Sequence, residues 1–97
     1  MPYVVMVDDN FHYMDEDERY KHGEFADAGV AVGNCRRIVD EYLESAYKAG
    51  MSASELWDSY VSFGEDPFIQ SVDVAPVRFS AWDYARGRCL DMCRAVG

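Results

Sequence analysis

The sequence has little positive charge, little histidine and no long apolar run. Nine Lys and Arg residues stand against 18 Asp and Glu in 97 residues, which gives a formal net charge of −9. Because affinity for nucleic acids comes largely from Lys and Arg that neutralise phosphates, direct nucleic-acid binding is disfavoured. No run approaches the roughly 18 apolar residues of a membrane helix, and no basic and apolar leader follows Met1. We therefore expect a cytoplasmic protein without a membrane span.

Paired cysteine motifs and the motifs of catalysis are also missing. Cys35, Cys89 and Cys93 are an odd number without C-x-x-C spacing, so we expect reduced core thiols rather than disulfides or a redox pair. There is no G-x-S-x-G elbow, no phosphate-binding glycine loop and no dinucleotide fingerprint. The sequence therefore leaves any catalytic residue unknown and predicts no cofactor, and it disfavours an enzyme without excluding one.

What is present favours one packed domain over residues 1–97. The composition is 49% hydrophobic and 14% aromatic, which argues against disorder despite the charge. The β-branched run Tyr3–Val7 stops at turn-forming residues, and a returning strand over Arg19–Phe25 would complete a hairpin. Gly23 within the second strand predicts a bulge or a close backbone approach.

Three helices are predicted by their start signals and their apolar periodicity. Asp27 is a candidate N-cap for a long helix that ends near Lys48 and Gly50, and Ser52–Glu55 is a capping box for a helix that ends at Gly64. Ser80 opens the third helix, with arginines on its outer side. We predict an α+β fold in which a short antiparallel β-hairpin packs against three α-helices.

The stretch between the second and third helices leaves two alternatives open. Either Phe68–Val72 or Val77–Phe79 can add a third strand to the hairpin. Before them, residues 64–67 have the composition of a turn, because glycine ends a helix and proline fixes φ and lacks a donor.

The acidic loop 8–18 suggests a metal site. An EF-hand is excluded, because neither Asp8 nor Asp15 as the first ligand puts glycine sixth and glutamate twelfth. A site for zinc, manganese or iron would use Asp8, Asp9 and His12, although aspartates at the end of a strand more often form turns and caps. A metal- or small-ligand-binding protein is therefore one alternative function.

The aromatic residues favour a different function. A domain of this size can seldom bury all of its rings, and Tyr and Trp are over-represented in interfaces. We therefore predict Trp57, Tyr60, Phe68 and Trp82 as residues that contact a protein partner or a second copy of the chain. The leading prediction is a non-catalytic interaction or self-associating module, a homo-oligomer or the binder of a protein partner. A third alternative is an acidic mimic that inhibits a nucleic-acid-binding protein.

Three segments carry a resemblance that covers most of the chain. Residues 7–20 (VDDNFHYMDEDERY), 63–69 (FGEDPFI) and 80–89 (SAWDYARGRC) resemble those of a group of short bacterial proteins known as conserved hypothetical proteins. The resemblance implies a bacterial cytosolic protein, and it implies no catalytic residues.

Overall fold

A three-stranded antiparallel sheet and three helices make up the fold. The computed structural model describes residues 1–11 and 19–94. The elements in chain order are β1 (Tyr3–Asp9), β2 (Tyr20–Phe25), α1 (Ala28–Ala46), α2 (Ala53–Phe63), β3 (Glu65–Ser71) and α3 (Ala81–Arg94). β1 lies in the centre of the sheet, whose strand order is β2-β1-β3. The predicted α+β fold with a hairpin is confirmed.

The hairpin contains the irregularity that was predicted at Gly23. Val5 pairs with Gly23 while the next residue, Met6, pairs with Lys21, so His22 is an extra residue in β2. A Cβ atom on Gly23 would come within 3.2 Å of the Phe25 ring, which is a physical reason for glycine at the bulge.

The third strand begins earlier than expected. It spans Glu65–Ser71, and residues 77–79 have no regular structure. The predicted turn over residues 64–67 is wrong. The Asn10 backbone amide donates to the Gly64 carbonyl at 2.9 Å and the Tyr60 hydroxyl donates to the Glu65 carbonyl at 2.7 Å, so the chain passes from α2 directly into the sheet. Pro67 is tolerated because β3 is an edge strand.

The helix starts follow the capping signals. The Asp27 carboxylate accepts from the Val30 amide at 3.1 Å, and Ser52 with Glu55 forms a complete capping box. The Ser80 hydroxyl accepts from the Asp83 amide at 3.2 Å at the start of α3. These three predictions are confirmed.

The end of α1 differs from the prediction. The helix stops at Ala46 rather than near Lys48, because Tyr47 is extended with ψ 136°. The Lys48 carbonyl accepts from the Met51 amide in a separate turn, in which Gly50 has a φ of +85° that favours glycine.

The core has two parts that share α1. One lies between the sheet and α1 and contains Val5, Val7, Ala31, Cys35 and Ile38. The other lies among the helices and contains Val39, Leu43, Leu56, Tyr60, Ala81, Ala85 and Cys89. α1 therefore covers the sheet with its first turns and supports α2 and α3 with its last turns. None of the helices in the described part of the chain is long and apolar enough to cross a membrane.

A polar contact fastens α3 to α1. The Tyr84 hydroxyl donates to both Asp40 carboxylate oxygens, at 3.0 and 2.9 Å, and the Arg88 Nε donates to Oδ1 at 3.0 Å. The arginines of α3 were predicted to point outward, but the Arg88 guanidinium turns toward α1 and binds the Asp40 carboxylate.

Candidate functional site

Three of the four predicted contact residues converge where α2 meets α3. The centroid of the Trp57 ring lies 6.0 Å from that of Tyr60, in a stacked arrangement, and 5.8 Å from that of Trp82, edge to face. Rings at these separations attract each other beyond the area they bury. The Trp57 side chain is half-buried and is held on two sides.

Tyr60 does not lie on any surface. Its side chain is 0% exposed, and its hydroxyl is committed to the Glu65 carbonyl. Burial, reinforced by the charge of Asp66, raises the pKa of this phenol. The prediction that Tyr60 contacts a partner therefore does not fit its place in the fold, since this ring supports the core beneath Trp57.

Phe68 lies apart from the stacked rings. It pairs with Met6 in the sheet, on the face opposite α1, and the Arg19 guanidinium carbon lies 5.1 Å from its ring centroid. Phe68 and Trp82 do line one groove of about 350 Å³ beside the start of α3. The structure thus brings Phe68 near Trp82 but not into the stack with Trp57.

Asn10 orients the second tryptophan. This side chain is only 7% exposed, and its Nδ2 donates to the Tyr60 carbonyl at 2.9 Å. Its Oδ1 accepts from the Trp82 Nε1 at 3.3 Å. Sequence reasoning treated Asn10 as a turn residue and missed this role, because its partners are far away in the chain.

A mainly apolar groove of about 280 Å³ runs between α2 and α3. Leu90 on its wall is 54% exposed, and the Arg86 guanidinium carbon lies 5.2 Å from the Trp57 ring centroid. The lining residues are Ala53, Ser54, Trp57, Arg86, Cys89 and Leu90. Trp and Arg are the residue types that most often dominate binding energies. Sequence reasoning found Trp57 but missed Arg86 and Leu90, which only the packing of the two helices places beside it.

Two residues of the predicted metal site, Asp8 and Asp9, lie in the described structure, and each carboxylate accepts hydrogen bonds from the protein. Asp8 takes two hydrogen bonds from Arg19, at 2.6 and 3.2 Å, and Asp9 accepts from the Phe11 amide at 2.9 Å. His12 and most of the acidic loop 8–18, on which the acidic-mimic alternative also depends, lie in residues 12–18, outside the described residues. Among residues 1–11 and 19–94, no group of three or more His, Cys, Asp or Glu could hold a metal ion.

Among the carboxylates of residues 1–11 and 19–94, Asp66 has the pKa that is raised furthest. It lies directly opposite Asp8 in the β1–β3 pairing. Burial and then the charge of Asp8 raise the pKa of Asp66 to about 6. Arg19 reaches Asp8 rather than Asp66, so the half-buried Asp66 is charged at neutral pH at a cost to the folded state.

We predict that Asp66→Asn stabilises the protein by about 1–2 kcal/mol at pH 7.5, less than the full pKa shift implies because the site is partly solvated. The folded-state pKa lies above the unfolded one, so the wild type gains stability as the pH falls from about 6 to about 4. The variant should lack that gain. Urea unfolding at several pH values measures both effects.

A matched control for this prediction is the exposed Asp58 on α2. Asp58→Asn makes the same formal change in charge and should alter stability by less than about 0.5 kcal/mol. Equal effects at the two positions would show that net charge, and not the place of Asp66, is responsible.

The cysteines are core thiols, as predicted, at two of the three positions. Cys35 and Cys89 are buried and free, and Cys93 is half-buried. Burial raises the pKa of Cys35 and of Cys89 to about 11. Both thiols are therefore protonated and unreactive at neutral pH.

No family model, curated protein or solved structure matches this chain. The resemblance to short bacterial proteins thus remains a prediction, and the geometry of the surface carries the functional argument.

Proposed function

We propose that this chain is a non-catalytic interaction module that binds an amphipathic protein segment in the groove between α2 and α3. The observation that carries the proposal is the set Trp57, Arg86 and Leu90. It combines a fixed aromatic ring from α2 with a cation and an exposed apolar side chain from α3 around one groove.

The rigidity of the groove supports binding. Trp57 is braced by Trp82 and by the buried Tyr60, and Arg86 lies across its ring. Side chains that are already held lose less freedom when a partner binds, and less of the interaction energy is spent on ordering them.

The lining also indicates what kind of segment would fit. A groove of about 280 Å³ suits one or two large apolar side chains. Arg86 at its rim favours an Asp or Glu beside those anchors, because a cation near apolar surface attracts a carboxylate strongly. The expected ligand is therefore an apolar side chain flanked by acidic residues, presented on a helix.

Selection from a displayed library of helical peptides tests the proposal. We expect enrichment of sequences that combine large apolar residues with Asp or Glu. Binding of the selected peptides should weaken at least about tenfold with Leu90→Asp, which buries a charge against them, and with Arg86→Glu, which repels their acids.

The control variant is Val74→Asp, which adds a charge at a position that is 39% exposed and not part of the groove. It should leave peptide affinity unchanged. Peptides that bind equally well to wild type and Leu90→Asp, or a selection that enriches nothing over a blank, would contradict the proposal.

A further inference from the structure

We propose that two copies of this chain associate through β2, edge to edge and antiparallel about a twofold axis, to form one continuous six-stranded sheet. This contact lies on the sheet and is independent of the groove between α2 and α3.

The outer edge of β2 is open in the described structure. β2 pairs with β1 on one side, and no other strand among residues 1–11 and 19–94 pairs with it. Tyr20 is 48% exposed, and the side chains of Lys21 and Glu24 are 56% and 45% exposed. An edge of this kind presents backbone donors and acceptors to a further strand.

The sequence of β2 is complementary to itself when it is read antiparallel. With the twofold axis between His22 and Gly23, Lys21 of one copy stands opposite Glu24 of the other, and Tyr20 stands opposite Phe25. Opposite charges are favourable between directly opposed residues of neighbouring strands.

The faces of the strand agree with this register. Lys21 and Glu24 pair with Met6 and Val4 of β1, on the face away from α1, and an ion pair of 3.1 Å joins them within one chain. Tyr20 and Phe25 pair with Val7 and Tyr3, whose side of the sheet α1 covers. Each residue therefore meets its proposed partner on the same face of the joined sheet.

Edge strands often carry a lysine or a bulge that prevents association. In the proposed register neither the lysine nor the bulge prevents association. Glu24 of the second copy compensates Lys21, and the bulged His22 stands opposite Gly23, where there is no side chain to obstruct the imidazole. The other edge of the sheet is less suitable, because Pro67 in β3 cannot donate a hydrogen bond.

Helix α1 would add apolar surface beside the new strand pair. His22 contacts Asn34 of α1 at 3.2 Å, and Val30, one turn earlier on the helix, is 51% exposed. Residues 30 and 34 lie on one side of α1, so Val30 flanks the β2 edge and would approach its counterpart in the second copy.

Two charge reversals test the register. We expect the wild type to have twice the 11.1 kDa mass of the chain by light scattering and native mass spectrometry. At about 0.1 mM, a wild-type dimer with a micromolar Kd would be almost fully associated. Lys21→Glu and Glu24→Lys should each be monomeric at this concentration, because like charges then oppose each other across the twofold axis. An equimolar mixture of the two variants should form a heterodimer.

The mixture separates the proposed contact from an effect within one chain. The internal Lys21–Glu24 pair remains broken in both variants, so only pairing between copies can restore association. Glu44→Lys and Lys48→Glu make the same charge changes at exposed positions near the end of α1 and should both remain dimeric. Circular dichroism checks that every variant is folded.

A monomeric wild type at about 0.1 mM, a dimeric Lys21→Glu variant, or a mixture that does not associate would each overturn the proposal. None of these results depends on the groove, since Leu90→Asp should leave the dimer intact. A failure of the peptide selection would likewise not contradict the proposed β2 contact.

Discussion

Replacing Gly64 with alanine should destabilise the protein by about 3 kcal/mol or more, although it adds a single methyl group. A Cβ atom at this position would lie 2.5 Å from the Tyr60 Cδ1 and 2.8 Å from the Tyr60 carbonyl oxygen. Neither can move easily, because the ring is fully buried and the carbonyl already accepts from Asn10 and from the Gly64 amide. The φ of Gly64 is −77°, which any residue adopts, so the cost is steric.

Two other glycines provide the opposite expectation. A Cβ on Gly33 in α1 or Gly87 in α3 would meet nothing within 4 Å. Gly33→Ala and Gly87→Ala should therefore each stabilise the protein by about 0.5–1 kcal/mol, because alanine loses less backbone freedom in a helix. Urea unfolding of the three variants under one set of conditions measures this reversal of sign. A loss below about 1 kcal/mol for Gly64→Ala would contradict the close packing of α2 against the start of β3.

The features that could be predicted from the sequence are those determined by residues a few positions apart along the chain. The N-caps at Asp27, Ser52 and Ser80 act within three or four positions of themselves, and the apolar spacing of a helix is equally local. Gly23 could be recognised as a bulge for the same reason, since a glycine inside a strand commonly marks a bulge or a close backbone approach.

The start of β3 could not be predicted in this way. Gly64 and Pro67 have the local chemistry of a turn, and the contacts that override it come from Asn10 and Tyr60. Asn10 and Tyr60 are 50 positions apart in the chain. Tertiary hydrogen bonds therefore decided the conformation of a segment whose own residues favoured another one.

In the candidate site, too, local features could be predicted and tertiary contacts could not. The aromatic residues of α2 were identified by composition, but burial separates Trp57, which lines a groove, from Tyr60, which supports it from within. Arg86 was predicted only to lie on the outside of α3. Its position over the Trp57 ring follows from how two helices pack, which no spacing within either helix reveals.

Asn10→Asp should cost about 3 kcal/mol at neutral pH, although aspartate has nearly the same size and shape. The Trp82 Nε1 can only donate, so the Asn10 oxygen faces it and the Asn10 nitrogen faces the Tyr60 carbonyl. In the variant, a carboxylate oxygen replaces that nitrogen, and two acceptors face each other in a buried site. Asn10→Ala removes the same bonds without adding a charge and should cost about 2 kcal/mol.

The pH dependence distinguishes this pairing of two acceptors from a simple loss of contacts. A protonated carboxyl can donate to the Tyr60 carbonyl, so the introduced group should have a folded-state pKa above its unfolded one. Its penalty relative to wild type should then shrink as the pH falls toward about 4, where Asn10→Asp should become the more stable of the two Asn10 variants. Unfolding in urea at pH 7.5 and at pH 4 measures this crossing.

Asn34 provides a control for the same chemical change at a solvated site. Its Nδ2 also donates to a backbone carbonyl, that of Val30, at 2.9 Å, and its Oδ1 lies 3.2 Å from the His22 Nε2, but both contacts are exposed to solvent within one copy of the chain. Asn34→Asp should cost less than about 1 kcal/mol, because water can hydrate both the carboxylate and the carbonyl. If Asn10→Asp behaves like Asn34→Asp, or if its penalty does not change with pH, then the two buried hydrogen bonds of Asn10, to the Tyr60 carbonyl and from the Trp82 indole, do not contribute to stability as proposed. The position of Trp82 would then depend mainly on its packing against Trp57.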